Sequence, residues 1–324
     1  MEKQPDFVPG LELAEGFFLE AVKPVLNSHY KGLKYAAALI GHGSEVLGFD
    51  DEMSTDHHWG PRVILFLNDN EYCSNRDSIH ELLSHELPRT YKGYPTNFSQ
   101  PDPEDHGTKM LRKTVSGPVN HRVELYTVKA FFEGDLGIDI DNQLDVADWL
   151  TLPFQKLRTV TAGKVFHDDL GLEQIRSQFK WYPHDVWLYI LASAWARIGQ
   201  EEHLMGRAGI VGDEIGSSLI GSRLVRDIVR LVFLMEKEYP PYPKWLGTAF
   251  SQLHAAPELS PILVKALHAQ SWQERESYLC SAFEVLAELH NDLSITENMS
   301  VNTTKFFSRP FEVIKGEDFT KALL

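Results

Sequence analysis

Cysteine is almost missing from this sequence: Cys73 and Cys280 are the only two in 324 residues. They stand far apart and form no CxxC pair. A disulfide framework is therefore excluded, and free thiols in a reducing compartment are expected, which points to the cytoplasm. Long apolar runs are missing too. No stretch approaches the roughly 20 apolar residues that span a bilayer, so no membrane partner is expected. The first thirty residues carry Glu12, Glu15 and Glu20 among their apolar positions. No small-residue cleavage site follows a basic start, which argues against a signal peptide. Basic charge is also scarce, with 31 Lys and Arg against 46 Asp and Glu and a net charge of −15. The densest basic cluster is Lys109, Arg112 and Lys113. A large nucleic-acid partner needs a basic surface to displace phosphate counterions and is disfavoured.

What is present suits a well-cored chain long enough for two domains: 43% hydrophobic and 24% charged residues. Leu11, Leu13, Phe17, Phe18, Ala21, Val22 and Val25 recur at helical spacing, with Pro24 as a candidate kink. Tyr35–Ile40, Arg62–Leu67 and Arg122–Val128 read as strands, and Asp77–Glu86 reads as a helix between the last two. The polar stretch from Pro88 to Pro118 is a long loop, either a lid or a loose surface insertion. From Leu144 onward strands are not expected. Val186 to Ile198, Leu224 to Met235, Trp245 to Leu253 and Trp272 to His290 keep helical spacing, and Phe306 to Phe319 returns to a short mixed pattern. The expectation is an α+β protein, with an α/β-like mixed-sheet domain over residues 1–143 and an all-helical domain over 144–324.

Chemistry concentrates in residues 41–67, GHGSEVLGFDDEMSTDHHWGPRVILFL. A strand runs into Gly43-Ser44, where glycine lets backbone approach a phosphate and serine adds a hydroxyl donor. An acidic loop, Asp50-Asp51-Glu52, comes next. Asp56 and His58 stand two apart at the expected opening of the next strand, which would place them on one face. Glu124 on the third strand can reach the same cleft or simply occupy a solvated strand face. Asp50, Asp56 and His57 also permit a mononuclear metal site, and Trp59 is either a base-stacking ring or core.

This arrangement resembles the nucleotidyltransferase superfamily typified by DNA polymerase β and the aminoglycoside nucleotidyltransferases. There a Gly-Ser turn is followed by an acid-x-acid pair, with a third carboxylate on a later strand. The wording GSEVLGFDDEMSTDHHWGPR is more closely similar to one branch, DUF4037. YPHDVWLYILASAW, GDEIGSSLIGSRLVRDIVRLVFL, YPPYPKWLG and RPFEVI extend that resemblance over nearly the whole chain.

The resemblance implies transfer of a nucleoside monophosphate from a triphosphate, with ATP the expected donor, to a hydroxyl of a small acceptor, and the net charge of −15 suits a cationic one. It implies Mg²⁺ or Mn²⁺ held by Asp56, His58 and Glu124, with Gly43 and Ser44 cradling phosphate. His58 departs from the pattern, which usually has a second Asp there. Imidazole is a softer ligand than Mg²⁺ prefers. Either one metal is lost, or Asp50 or Asp51 substitutes, or the domain binds without catalysing. An acid of the helical half, Glu202 among them, is a candidate general base. Lys244 between Pro243 and Trp245 either contacts the triphosphate or lies over the tryptophan. A nucleotide-binding regulator and a transferase acting on a protein are the competing readings.

Overall fold

The computed structural model describes residues 5–324 and divides the chain into two compact units, residues 1–180 and 181–324. The first unit is built on a four-stranded mixed sheet in the order β5-β2-β1-β6. Its strands are β1 (Tyr35–Leu39), β2 (Arg62–Leu67), β5 (Arg122–Thr127) and β6 (Lys164–Asp168). β1 is antiparallel to β2 and β6, while β2 and β5 run parallel. Parallel neighbours need a long crossover, and here it holds α3 (Asp69–Glu86) and a small hairpin, β3 (Thr90–Tyr91) and β4 (Tyr94–Pro95).

One face of the sheet, with Ala37, Val63, Leu65, Val123 and Leu125, packs on α1 (Gly10–Phe17) and α3 through Leu13, Phe17, Ile79 and Leu83. The wide turn Phe18–Val22 joins α1 to α2 (Lys23–His29), with the Lys23 N–H donating five residues back to the Phe18 carbonyl. Pro24 lacks the N–H that would continue the regular ladder, so the predicted single helix is widened there. On the opposite face Phe66 and Tyr126 meet Phe131 of α4 (Val128–Leu136) at centroid distances of 5.3 and 5.9 Å.

Two sequence expectations are corrected. Strands do not end near residue 144: β6 follows the short helices α5 (Val146–Thr151) and α6 (Phe154–Thr161) and completes the sheet beside β1, and α7 (Leu172–Ser177) follows it. Its KVFHD is too short and too half-exposed to stand out by alternation. The boundary therefore falls after Lys180 and not at 143. The Pro88–Pro118 stretch is not a loose insertion. Bridges Phe98–Leu111 and Asp102–Thr108 and the buried Tyr91, Tyr94, Thr96 and Phe98 fold it into a packed arm.

Gly163 fixes where β6 can lie. Its φ is +74°, and a Cβ there would stand 2.0 Å from the Leu39 carbonyl oxygen of β1. Gly163→Ala must move one strand off the other, so the urea midpoint of the protein is expected to fall by an amount corresponding to about 2 kcal/mol.

The second unit is helical, with a two-stranded clip. Its long helices are α8 (His184–Ile210), α9 (Glu214–Met235), α11 (Ala256–His268) and α12 (Trp272–Asp292), with the short α10 (Leu246–Phe250) between α9 and α11. β7 (Thr304–Lys305) and β8 (Glu312–Val313) form the clip, and α13 (Gly316–Leu323) packs along α8. Trp195 stacks on Phe319 at 4.0 Å, one of several aromatics that the helical spacing assigned to core. Cys280 is buried and Cys73 exposed, both free. Among the described residues no helix is long and apolar enough to cross a membrane.

Candidate functional site

β1 is buried along its whole length and ends at Leu39. The chain then turns through Gly41-His42-Gly43-Ser44, and the turn's own hydrogen bonds come from the N–H groups of Leu47, Gly48 and Phe49, while the Gly41 N–H donates to the Thr159 carbonyl of α6. Those of His42 and Gly43 are not among them. Gly43 has φ +135°, and a Cβ there would come within 2.5 Å of Glu45 Oε2 and 2.6 Å of Arg62 Nη2. Only glycine fits.

Buried guanidinium groups hold this region. Arg62 opens β2, where Nε donates to Glu45 Oε1 at 2.8 Å, Nη2 lies 2.7 Å from the same oxygen, and Nη2 donates to the His42 carbonyl at 2.6 Å. Arg62 and Glu45 are 5% and 4% exposed. Arg122, its register partner on β5, donates from Nη1 to the His58 carbonyl at 2.6 Å and from Nε to Glu124 Oε1 at 3.3 Å. Each arginine thus anchors one loop, 41–48 or 56–60, to the strand behind it. Asp135 of α4 takes a third position, 3.1 Å from both His42 Nε2 and Lys156 Nζ. Burial alone would raise the Asp135 pKa, but the hydrogen bonds from His42 and Lys156 outweigh it and hold the carboxyl below its ordinary value.

The residues expected to bind metal are not brought together. Asp56 does not open a strand. It ends the tight turn Glu52–Asp56, exposed, with its carboxylate 2.5 Å from His57 Nδ1. His58 follows with φ +54°, and β2 starts only at Arg62, so the two-residue alternation does not apply between Asp56 and His58. Glu124 is on an edge strand, on the face of Arg122, which it pairs with. Among the described residues no three His, Cys, Asp or Glu side chains are grouped to hold a metal ion.

The field here favours anions instead. Burial, then the charges of Arg122, His57, Arg62 and Lys109, hold the His58 imidazole below its usual pKa, and its Nδ1 is buried without a partner. Asp50 and Asp51, the possible substitutes, are engaged elsewhere. Asp50 Oδ2 accepts from Trp59 Nε1 at 2.8 Å and the Gly10 N–H at 2.7 Å, while Asp51 forms a reciprocal cap with Ser54. Trp59, 2% exposed, belongs to the core.

Glu202 is not placed as a general base. It is buried in α8, and its carboxylate accepts backbone N–H groups of Ile314, Lys315 and Gly316 at 2.7, 3.3 and 3.1 Å. It fastens the C-terminal helix. The Lys244 ammonium lies 4.7 Å from the Trp245 ring centroid, the packing that the Pro243-Lys244-Trp245 sequence allows.

Sequence reasoning passed over Glu45, Arg62, Arg122 and Asp135. The signal for Arg62 was a charge opening an otherwise apolar strand, since a charge buried there requires a partner.

Residues 149–246 match the family model described as a domain of unknown function, DUF4037. That is the branch whose wording the sequence resembles, and the match lies outside residues 41–67. No curated protein matches the chain. Among solved structures the chain is similar to a nucleotidyltransferase-like protein from Exiguobacterium sibiricum 255-15, at 9% identity, with a TM-score of 0.33, over 85% of this chain and 78% of that one.

Proposed function

We propose that the first unit binds a nucleoside triphosphate, ATP the expected one, at the Gly43-Ser44 turn, in a domain of nucleotidyltransferase kind. The observation that supports this most is the turn itself. It follows β1, is locked from below by the Arg62–Glu45 pair, and leaves the His42 and Gly43 N–H groups outside its internal bonds. Paired N–H groups on such a turn form a concave donor site for an anion.

The finer reading is metal-assisted transfer of the nucleoside monophosphate to a hydroxyl of a small molecule, with Mg²⁺ or Mn²⁺ on Asp56, His58 and Glu124. The donor set does not fit it. Asp56 is paired with His57, Glu124 with Arg122, and three candidate ligands nowhere converge among the described residues. Binding without transfer is thus the reading the geometry supports best. The Arg122–Glu124 pair is the observation that favours it over an enzyme.

Calorimetric titration with ATP, GTP, CTP and UTP, each with and without Mg²⁺ or Mn²⁺, tests both readings. The expected result is one triphosphate bound without a divalent ion, its affinity weakened about tenfold by Ser44→Ala, one hydrogen bond to a charged group, and unchanged by Asp56→Ala. Metal-dependent binding lost in Asp56→Ala would move the conclusion to transferase. No binding of any triphosphate sinks both.

A further inference from the structure

A separate pocket of about 330 Å³ lies between α3 and the outer edge of β5. Tyr72, Arg76 and His80 of α3 form one wall, Lys109 another, and Asn120 to Tyr126 the floor. Its size falls at the small-ligand end of the range for binding pockets.

Three of the charged residues lining it are cations, Arg76, Lys109 and Arg122, against the single acid Glu124. Cations gathered in one pocket repel one another, so this pocket is locally positive although the chain carries a net charge of −15. Glu124 is already matched by Arg122 at 3.3 Å. Among the described residues the Lys109 ammonium has no ion-pair partner. Arg76 has only its exposed neighbour Asp77 at 4.0 Å and lies 5.5 Å over the Tyr72 ring. Two cationic side chains and the Tyr72 ring are therefore available to one ligand.

An edge strand beside a groove also suggests an added peptide strand, but His121 obstructs that edge at Val123. Its Nδ1 accepts the Val123 N–H at 3.1 Å and its Nε2 donates to the His80 carbonyl at 3.1 Å. Burial lowers its pKa to about 4, so it stays neutral and in this tautomer at neutral pH. One of the edge donors that an incoming strand would need, the Val123 N–H, is thereby used.

We infer that this pocket binds a small phosphomonoester dianion, with Arg76 and Lys109 as its counter-charges and the Tyr72 ring against the organic part. Guanidinium and ammonium groups together give a bidentate contact and a point charge, a combination suited to a doubly charged phosphate. The pocket excludes the Gly43-Ser44 turn, since neither Gly43 nor Ser44 lines it, and meets the region described above only through Arg122 and Glu124.

The test is calorimetric titration at pH 7.5 with inorganic phosphate and with phenyl phosphate, using the whole chain. Variants are Arg76→Ala, Lys109→Ala and Tyr72→Leu, all three checked for folding by circular dichroism. The expected result is saturable binding of both probes, phenyl phosphate the tighter, with each cation removed weakening affinity at least tenfold. Tyr72→Leu should erase the preference for the phenyl ester and leave inorganic phosphate unchanged. Affinities indifferent to Arg76 and Lys109, or no saturable binding at millimolar probe, overturn the proposal. Loss of phenyl phosphate binding in Ser44→Ala would also overturn it, by assigning the phosphate to the Gly43-Ser44 turn.

Discussion

Replacing Arg62 with alanine is expected to lower the stability of the protein by about 3–5 kcal/mol, the range for breaking a buried ion pair from one side. The guanidinium satisfies Glu45 and the His42 carbonyl together, and with its removal the Glu45 carboxylate is left buried and unpaired. An uncompensated buried carboxylate costs more than the pair contributed, so the damage exceeds what counting hydrogen bonds would give. Arg62→Lys should recover only part of the loss, because a single ammonium cannot span both acceptors. Arg62→Ala combined with Glu45→Gln is expected to be less unstable than Arg62→Ala alone, since no charge then remains buried. Urea unfolding of the four proteins checks this. Equal midpoints for Arg62→Ala and the double variant would show that the pair is not the cause.

Removing Glu202 comes second in size. Its carboxylate accepts three main-chain N–H groups at the start of the C-terminal helix, and Glu202→Ala leaves them facing a cavity. The expected cost is about 3 kcal/mol, from buried donors worth roughly 1–3 kcal/mol each when unmet. Because the role is to fasten α13 and not to carry protons for a reaction, nucleotide affinity should be unaffected.

A pH signature accompanies this. Burial pushes the carboxyl up from about 4.5 to about 7, against the three N–H donors that pull it down. The folded chain therefore holds a proton that the unfolded chain releases between pH 4.5 and 7, and stability falls as pH rises through that window. Glu202→Ala should lack that slope. An unchanged slope in the variant would rule out Glu202 as its source.

The fold was legible where the sequence pattern matched a single environment. Tyr35–Leu39 and Arg62–Leu67 are buried along their whole lengths, and their unbroken apolar runs announce strands without ambiguity. β6 was not legible, because three of its five residues, Val165, Phe166 and His167, are only half-buried, and nothing in KVFHD separates it from a helix turn.

The site was legible only in part. Gly43-Ser44 stands where the spacing implied a turn after a strand. Asp56 and His58 failed as a same-face pair because an intervening tight turn replaced the strand that the argument assumed. Glu202 read as a candidate general base, whereas its partners lie more than a hundred residues further along the chain, beyond any local pattern. Partner choice over such distances is a property of packing, and single-residue chemistry cannot announce it.

The strand order has a consequence for how the chain is made. β1 leaves the ribosome early, yet its outer neighbour is β6, with Leu39 pairing Lys164 more than a hundred residues later. Until then one side of β1 is bare, and its Ala36, Ala37 and Ala38 offer little bulk to discourage a foreign strand. Pairings so remote in sequence form slowly, because loop closure must be met before the contact rewards it. Synthesis halted near residue 143 would therefore release a sheet with one edge unfinished. That species is the one that would engage chaperones or aggregate.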